Sequence, residues 1–403
     1  MLLSVCIITY NEEKFIRECV RSVQQIADEI IVMDAFSTDS TLEICESEGC
    51  IVFKSEWEND YAIARNKAID KAKGEWILFL DADEELVNPR PLLKRIQKQV
   101  SSRVGGFILE RTDIFRNKDS GKIYRYPVGI VRLFRNLPSF RFSSPIHEEI
   151  NTSIYLSNYC LSVHTTSKIK HRVNESTDQF LAQKQKQYLA LLEVEIQKDN
   201  SNWWAIYHRA KTLWFFDRKE EALIDFLQVA ESKDAREDLK VSSYANASLL
   251  AIDVKKESVH LFLNSAIKIN ENAFILKYAQ AESLYKEGKF ISALRIYAQI
   301  PVSLKASRKG AAIPGGVYLR PEMKIYKIGC CLYALEKLKL AKIVFSIGQH
   351  LYSFDPINLF GKSVVHARLK KKSKAIDGFE KCLEIEPNWN APSDELKRMA
   401  IHI

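Results

Sequence analysis

The chain has 403 residues, 46% apolar and 27% charged, the composition of an ordinary globular protein of two or three domains. Its net charge is +8, but the basic residues are dispersed and the densest run is Lys370-Lys371-Lys372; this excludes a dedicated nucleic-acid binder and leaves only a weak pull on anionic substrates or surfaces. Eight cysteines without a C-x-x-C pair argue against zinc or thioredoxin chemistry and read as reduced thiols of a cytoplasmic protein, and no apolar run is long enough for a transmembrane segment.

Leu2–Tyr10 is a continuous apolar run of the kind buried in parallel sheets, and Met1 opens into it without the basic region of a signal peptide. Asn11-Glu12-Glu13 ends it and leads into a helix with Phe15, Ile16, Cys19, Val20 and Val23 on one face. Ile30–Met33 is a second strand, Asp34–Asp39 a polar turn, Thr41–Glu48 a helix and Ile51–Phe53 a third strand. A helix over Asp60–Gly74, with Gly74 as its stop, precedes a fourth strand, Trp76–Leu80. This alternation predicts a doubly wound α/β sheet.

Ligands of such sheets sit beyond the carboxyl ends of the strands. The polar clusters fall there: Thr9, Tyr10 and Glu12 after the first strand, Asp34 with Ser37 and Asp39 after the second, Asp81 and Asp83 after the fourth. Alone, Asp81-Ala82-Asp83 reads first as an ordinary turn and only second as a metal site, because aspartate favours turns. As a pair the two carboxylates are costly to hold together without a cation, and Mg²⁺ or Mn²⁺ suits such oxygen ligands. Glu84 and Glu85 read as solvated charges beyond the pair. No G-x-G-x-x-G or P-loop motif is present, which disfavours a dinucleotide fold or an NTPase.

From Phe107 the pattern becomes antiparallel and mixed, with strands in "GGFILERTDIFRN" and "PVGIVRLFRN" joined around Asn117–Lys122. His147-Glu148-Glu149 follows, then a strand ending at His164, and then His171 and Arg172. After about Ser176 helices take over. Ala222, Ser258, Ala293, Ala341 and Ala375 recur at steps near the tetratricopeptide period, apart from one longer step that holds Ser303–Pro321. That segment is rich in glycine and basic residues and reads as a plain insertion or an acceptor or dimer loop. The aromatic run from Trp203 to Phe216 reads mostly as helix core, with part of it sealing the junction between domains.

"ITYNEE", "DEIIVMDAFSTDST", "ARNKA" and "WILFLDADEE", in that order, resemble inverting family 2 glycosyltransferases of the GT-A fold. The resemblance implies a Rossmann-like, mixed-sheet α/β catalytic domain over residues 1–175, with an all-α, tetratricopeptide-like domain over 176–403. It places Thr9, Tyr10, Glu12 and Asp34 on the nucleoside, Arg65 near the diphosphate, Asp83 on a divalent metal, and Asp81 beside it on metal or sugar. His164 is the implied histidine that completes the metal site, with His171 and Arg172 folding over the diphosphate. Glu148 is the first choice for the base that takes the acceptor proton, His147 the second and Glu149 the third, with a solvated carboxylate preferred for the last. The directly attached repeats and the "HEE" run look like the peptide S-glycosyltransferases of glycocin (sublancin-type) bacteriocin biosynthesis. This implies transfer of a hexose, glucose foremost, from a UDP-sugar to a cysteine or serine of a peptide. The alternative is a cell-surface glycan or lipopolysaccharide-core sugar transferase. The exposed repeat array is compatible with a homodimer.

Overall fold

The computed structural model describes residues 1–99, 103–118, 123–253, 258–271, 273–300, 320–353 and 355–401. Its first part runs β1 (Leu3–Thr9), α1 (Ile16–Val23), β2 (Glu29–Asp34), α2 (Thr41–Ser47), β3 (Ile51–Lys54), α3 (Tyr61–Ile69), β4 (Trp76–Asp81), β5 (Glu84–Val87), α4 (Arg90–Gln97), β6 (Val104–Asn117), β7 (Ile123–Arg135), α5 (Asn151–Leu156) and β8 (Cys160–Ser176). The strands form one sheet in the order β3-β2-β1-β4-β7-β6-β8-β5. Pairing is parallel from β3 to β4, antiparallel from β4 through β7 to β6, parallel from β6 to β8, and antiparallel again at β5.

Side-chain alternation explains why the first strands are apolar throughout. Leu3, Val5 and Ile7 go into one buried cluster with Ile16, Cys19 and Val20 of α1, whereas Cys6 goes into another with Ala68 and Ile69 of α3. Both faces of β1 are therefore covered. Helix α3 is capped by the Asp60 side chain, which accepts from the Ile63 N–H at 2.9 Å. It ends at Ile69, before the glycine expected to stop it. Gly74 serves a different purpose: an added Cβ there would lie 2.5 Å from the Ser4 amide nitrogen, so the residue permits close backbone approach to β1.

The second part is wholly helical: α6 (Asp178–Lys198), α7 (Trp203–Phe215), α8 (Lys219–Glu231), α9 (Glu237–Asp253), α10 (Val259–Asn270), α11 (Phe274–Lys286), α12 (Phe290–Gln299), α13 (Pro321–Ala334), α14 (Leu338–Leu351), α15 (Ile357–Arg368), α16 (Lys372–Ile385) and α17 (Asn390–Ile401). From α7 onward each helix packs against the next one in the chain, the neighbour-to-neighbour stacking of tetratricopeptide arrays. The small-residue period has a structural meaning. Ala222, Ala293, Ala341 and Ala375 are each the fourth residue of the second helix of a pair, and each is fully buried. Ser258 departs from the series; it lies at the N-cap of α10. Of the glycine- and lysine-rich segment, residues 303–319 lie outside the described residues.

The turn within these pairs also repeats. Asp217, Gly288, Glu336 and Lys370 each stand two residues before the second helix, and all four have positive φ. Only one is glycine, so three side chains carry the cost of the left-handed region. Lys370→Gly is expected to stabilise the chain by about 0.5–1 kcal/mol, read as a raised urea midpoint at unchanged slope.

Candidate active site

Parallel register puts the ends of β1, β2 and β4 level: Thr9 is opposite Asp34, and Ile8 is opposite Asp81. They open into a cavity of about 1310 Å³. Thr9, Tyr10, Glu12, Asp34, Arg65, Asp81, Asp83, His147 and Glu148 all line it. Its other wall is helical, with Lys184 and Tyr188 of α6, Trp204, Tyr207, His208 and Lys211 of α7, and Asp238 and Ser242 of α9.

On the β1–β2 side the polar turns brace one another. Asp34 is buried, and both its oxygens accept from Ser37, one from the amide at 2.8 Å and one from the hydroxyl. The Asn11 and Glu12 amides donate to Ser37 and Thr41 hydroxyls at 2.9 and 2.8 Å. The Thr9 hydroxyl is buried and has no partner among the described residues, so it remains available to a ligand.

On the β4 side lies a row of alternating charges. Glu148 Oε1 accepts from Arg65 Nη2 at 2.6 Å and from Nε at 2.9 Å; Arg65 Nη2 also donates to Asp81 Oδ1 at 2.7 Å. Arg132 of β7 donates to Asp81 Oδ2 and to Glu84, the latter at 3.1 Å. Arg111 of β6 joins Glu84 at 2.9 Å to Asp113 at 2.9 Å. His171 of β8 then bridges Asp113 and Asp83, with 3.0 Å on each ring nitrogen. Arg65 is only 3% exposed, and its guanidinium lies over the Phe79 ring at 4.6 Å. Burial opposes ionisation of Asp81, but Arg132, Arg65 and Arg111 hold its carboxyl far below the usual range. Burial works against a charged His171, yet its bonds to Asp113 and Asp83 carry it up to about 10.

This row revises several expectations. Both oxygens of Asp81 are taken by guanidinium groups, so it stands as the anchor of two arginines and not as an open metal ligand. Arg65 is occupied at the cavity floor by Asp81 and Glu148 and does not project freely toward a diphosphate. Glu84 is not a solvated charge; it is fully buried, pairs with Arg111 and Arg132, and accepts from the Asp81 amide at 3.0 Å. His164 is not brought to the aspartates. It is buried against Phe107, its Nε2 bonded to Ser167 and Thr166, and it does not line the cavity. His171 is the histidine beside Asp83; the side chain of Arg172 lies outside the described residues.

Asp83 is the more accessible of the aspartate pair, with 34% of its side chain exposed. Glu12 faces the same charge: burial and the Asp83, Asp39 and Asp81 carboxylates push its carboxyl up to about 7. Such mutual repulsion is what a bound cation relieves. Among the described residues no three His, Cys, Asp or Glu side chains form a complete cage. Asp83 and Glu12 are the carboxylates that a hard cation needing substrate oxygens would use, whereas His171, protonated and bonded through both ring nitrogens, has no lone pair to offer it.

The His147–Glu149 loop is clamped between the two parts of the chain. His147 has φ 53°, and its carbonyl accepts from Trp204 Nε1 at 2.9 Å. Its ring stacks on His208 at 4.1 Å and meets Tyr188 edge-on at 5.2 Å. Glu149, expected in solvent, is buried; it bonds Arg236 at 2.9 Å and the Thr152 amide, leaving Glu148 as the glutamate of this loop that faces Arg65. Among the described residues Arg65 is the only hydrogen-bond partner of the Glu148 side chain.

The Arg111, Arg132, His208 and Lys211 contributions were not singled out from sequence. The available signal for Arg132 was a charge inside the apolar run Ile130–Phe134, which demands a buried partner. His208 and Lys211 had no such signal, because one turn of helix separates them on an otherwise ordinary amphipathic pattern.

Burial pushes His147 down to about 3, with Lys211 and Lys184 adding to it, and pushes His164 down to about 4; His208 is likewise held well below its usual value by burial. These rings are neutral in the folded chain and protonate on unfolding below about 6.5. Their stabilising contribution is complete above that pH and is lost as pH falls toward the folded values. The unfolding free energy should drop by up to about 1.4 kcal/mol per pH unit per ring, checked by urea titrations between pH 7 and 5.

Residues 4–156 match the family model described as glycosyl transferase family 2. That match is confined to the N-terminal α/β part of the chain, and a tetratricopeptide-like helical region follows it. The chain is similar to a TPR repeat-containing protein of Synechococcus elongatus, 33% identical over 175 residues, covering 42% of this chain and 41% of the relative. It is also similar to the SPbeta prophage-derived glycosyltransferase SunS of Bacillus subtilis, 29% identical over 232 residues, covering 55% of this chain and 51% of SunS. The chain thus spans about half the length, or less, of these relatives. Among solved structures, S. aureus TarS 1-349 in complex with UDP-GlcNAc aligns with a TM-score of 0.36 and 17% identity, covering 72% of this chain and 92% of TarS. No helix among the described residues is long and apolar enough to cross a membrane.

Proposed function

We propose that the protein is an inverting, metal-dependent glycosyltransferase that moves a hexose, glucose foremost, from a UDP-sugar to a cysteine or serine side chain of a peptide. The observation that carries this reading is one cavity shared by two surfaces. The strand ends of the family 2 domain supply its acidic floor, and α6, α7 and α9 supply its opposite wall. An acceptor that meets both surfaces at once is one presented along a helical array, and such arrays commonly bind extended peptide.

In this reading Thr9, Tyr10, Glu12 and Asp34 contact the nucleoside of the donor. A divalent cation held by Asp83, with Glu12 beside it, would neutralise charge on the departing diphosphate. Glu148 lies at the junction of floor and wall and acts as base. The acceptor O–H or S–H gives its proton to Glu148, its electron pair forms the bond to the anomeric carbon, and the bond to the diphosphate oxygen breaks with inversion. Arg65 bonds both Glu148 and Asp81 and so fixes where the base points.

The test is mass spectrometry of peptides containing cysteine or serine, incubated with the full chain, a panel of UDP- and GDP-sugars and Mn²⁺. A hexose adduct that requires UDP-sugar, disappears with EDTA and returns with added metal supports the proposal. A cysteine adduct should resist base elimination. Transfer to isolated glycans, with every peptide left unmodified, would replace the peptide acceptor by a cell-surface glycan.

A further inference from the structure

The cavity has two electrical characters. Around the arginines of β6, β7 and α3 its carboxylates are matched, Asp81, Glu148 and Asp113 each being bonded to an arginine, and Glu12 and Asp83 leave the strand ends acidic. At the helical wall the match fails. Lys184 and Lys211 line the cavity, and among the described residues neither has a carboxylate partner. Each instead leans toward a ring of its own helix, Lys184 Nζ 5.6 Å from the Tyr188 centroid and Lys211 Nζ 5.7 Å from that of Tyr207. Glu149 and Asp238, the acids on this side, are both engaged by Arg236.

The rings between the lysines cannot compensate them. His147 and His208 stack face to face, both are neutral, and the buried Nε2 of His208 has no partner among the described residues. Lys211 is solvent-exposed where it lines the cavity, and partial desolvation by the surrounding walls lowers its ammonium below the usual range. An ammonium in such a recess is stabilised by an anion entering with the ligand. His147 feels both lysines and is next in the chain to Glu148, so that anion would sit close to the group receiving the sugar.

We propose that Lys184 and Lys211 form an acceptor subsite for a carboxylate, so that the peptide carries an acidic side chain or its terminal carboxylate beside the modified residue. This rests on the peptide-acceptor reading above. Lysines at a recess entered by a flexible ligand act as mobile point charges, suited to a carboxylate whose position varies from peptide to peptide. Tyr188, Trp204 and Tyr207 supply the apolar wall for the adjoining residues.

Isothermal titration of the full chain with hexaglutamate, hexaglutamine and a glycerol-phosphate oligomer separates the possibilities. Hexaglutamate should bind about tenfold or more tighter than hexaglutamine, and Lys184→Gln with Lys211→Gln should remove that difference. UDP affinity should stay the same in the double variant. Equal binding of the two peptides, an effect of the variant on UDP alone, or tighter binding of the glycerol-phosphate oligomer would each overturn the subsite. A second measurement compares transfer to cysteine peptides with Asp or Asn next to the cysteine, each with a free or an amidated C-terminus. Preference for Asp in both forms identifies the side-chain carboxylate as the partner, and preference for the free terminus identifies the terminal one. If hexaglutamate binds through the lysines while no peptide accepts sugar, the carboxylate site stands and the peptide-transfer proposal fails.

Discussion

Glu148→Gln is expected to lower transfer to a serine hydroxyl about 10²–10⁴-fold while lowering transfer to a cysteine thiol far less. The difference follows from acceptor chemistry. A thiol with a pKa of about 8.5 supplies some thiolate unaided, whereas a hydroxyl needs its proton removed as the new bond forms. The glutamine keeps the size of the side chain, and Arg65 retains Asp81 as a partner, so the local structure should persist. The measurement is kcat/KM on a matched pair of peptides differing only in serine or cysteine. Equal losses on both would remove Glu148 from the role of base and point to a shared positioning effect.

The second large effect concerns stability. Arg132→Met removes the group that joins Asp81 to the fully buried Glu84. Arg132 is itself only 6% exposed, so water does not replace it easily. Arg65 still holds Asp81 and Arg111 still holds Glu84, but two carboxylates close together lose the cation between them. The expected cost is about 3–5 kcal/mol, a large share of the ~5–15 kcal/mol that holds a typical domain folded. Adding Glu84→Gln to Arg132→Met should recover part of the loss, because it removes one of the two like charges. Urea unfolding of the single and double variants measures this. Recovery of nothing would mean that the cost came from lost packing of the arginine stem.

Much of the architecture was legible because its signals are local. Apolar runs of strand length, separated by helical periods and ended by polar turns, dictate β1 to β4, and parallel register then brings Thr9, Asp34 and Asp81 level without further information. The alanine period likewise marks the fourth residue of α8, α12, α14 and α16, where the side chain is fully buried.

Partner choice was not local. His164 and His171 are both histidines of the same strand, and only the pairing of β8 with β6 and β5 decides that His171 meets Asp83 while His164 is buried against Phe107 and Ser167. Glu84 and Glu149 read as surface charges because nothing near them in the chain neutralises them. Their partners come from Arg132 and Arg111 of distant strands and from Arg236, which precedes α9. The sequence carried the strand-end chemistry and the α/β character of the first part, since both follow from residues a few positions apart. Tertiary structure alone decided which charges are spent on one another and which remain for a ligand, because Coulombic pairing depends on distance in space. It also decided that the helices of the second part close the cavity over Glu148.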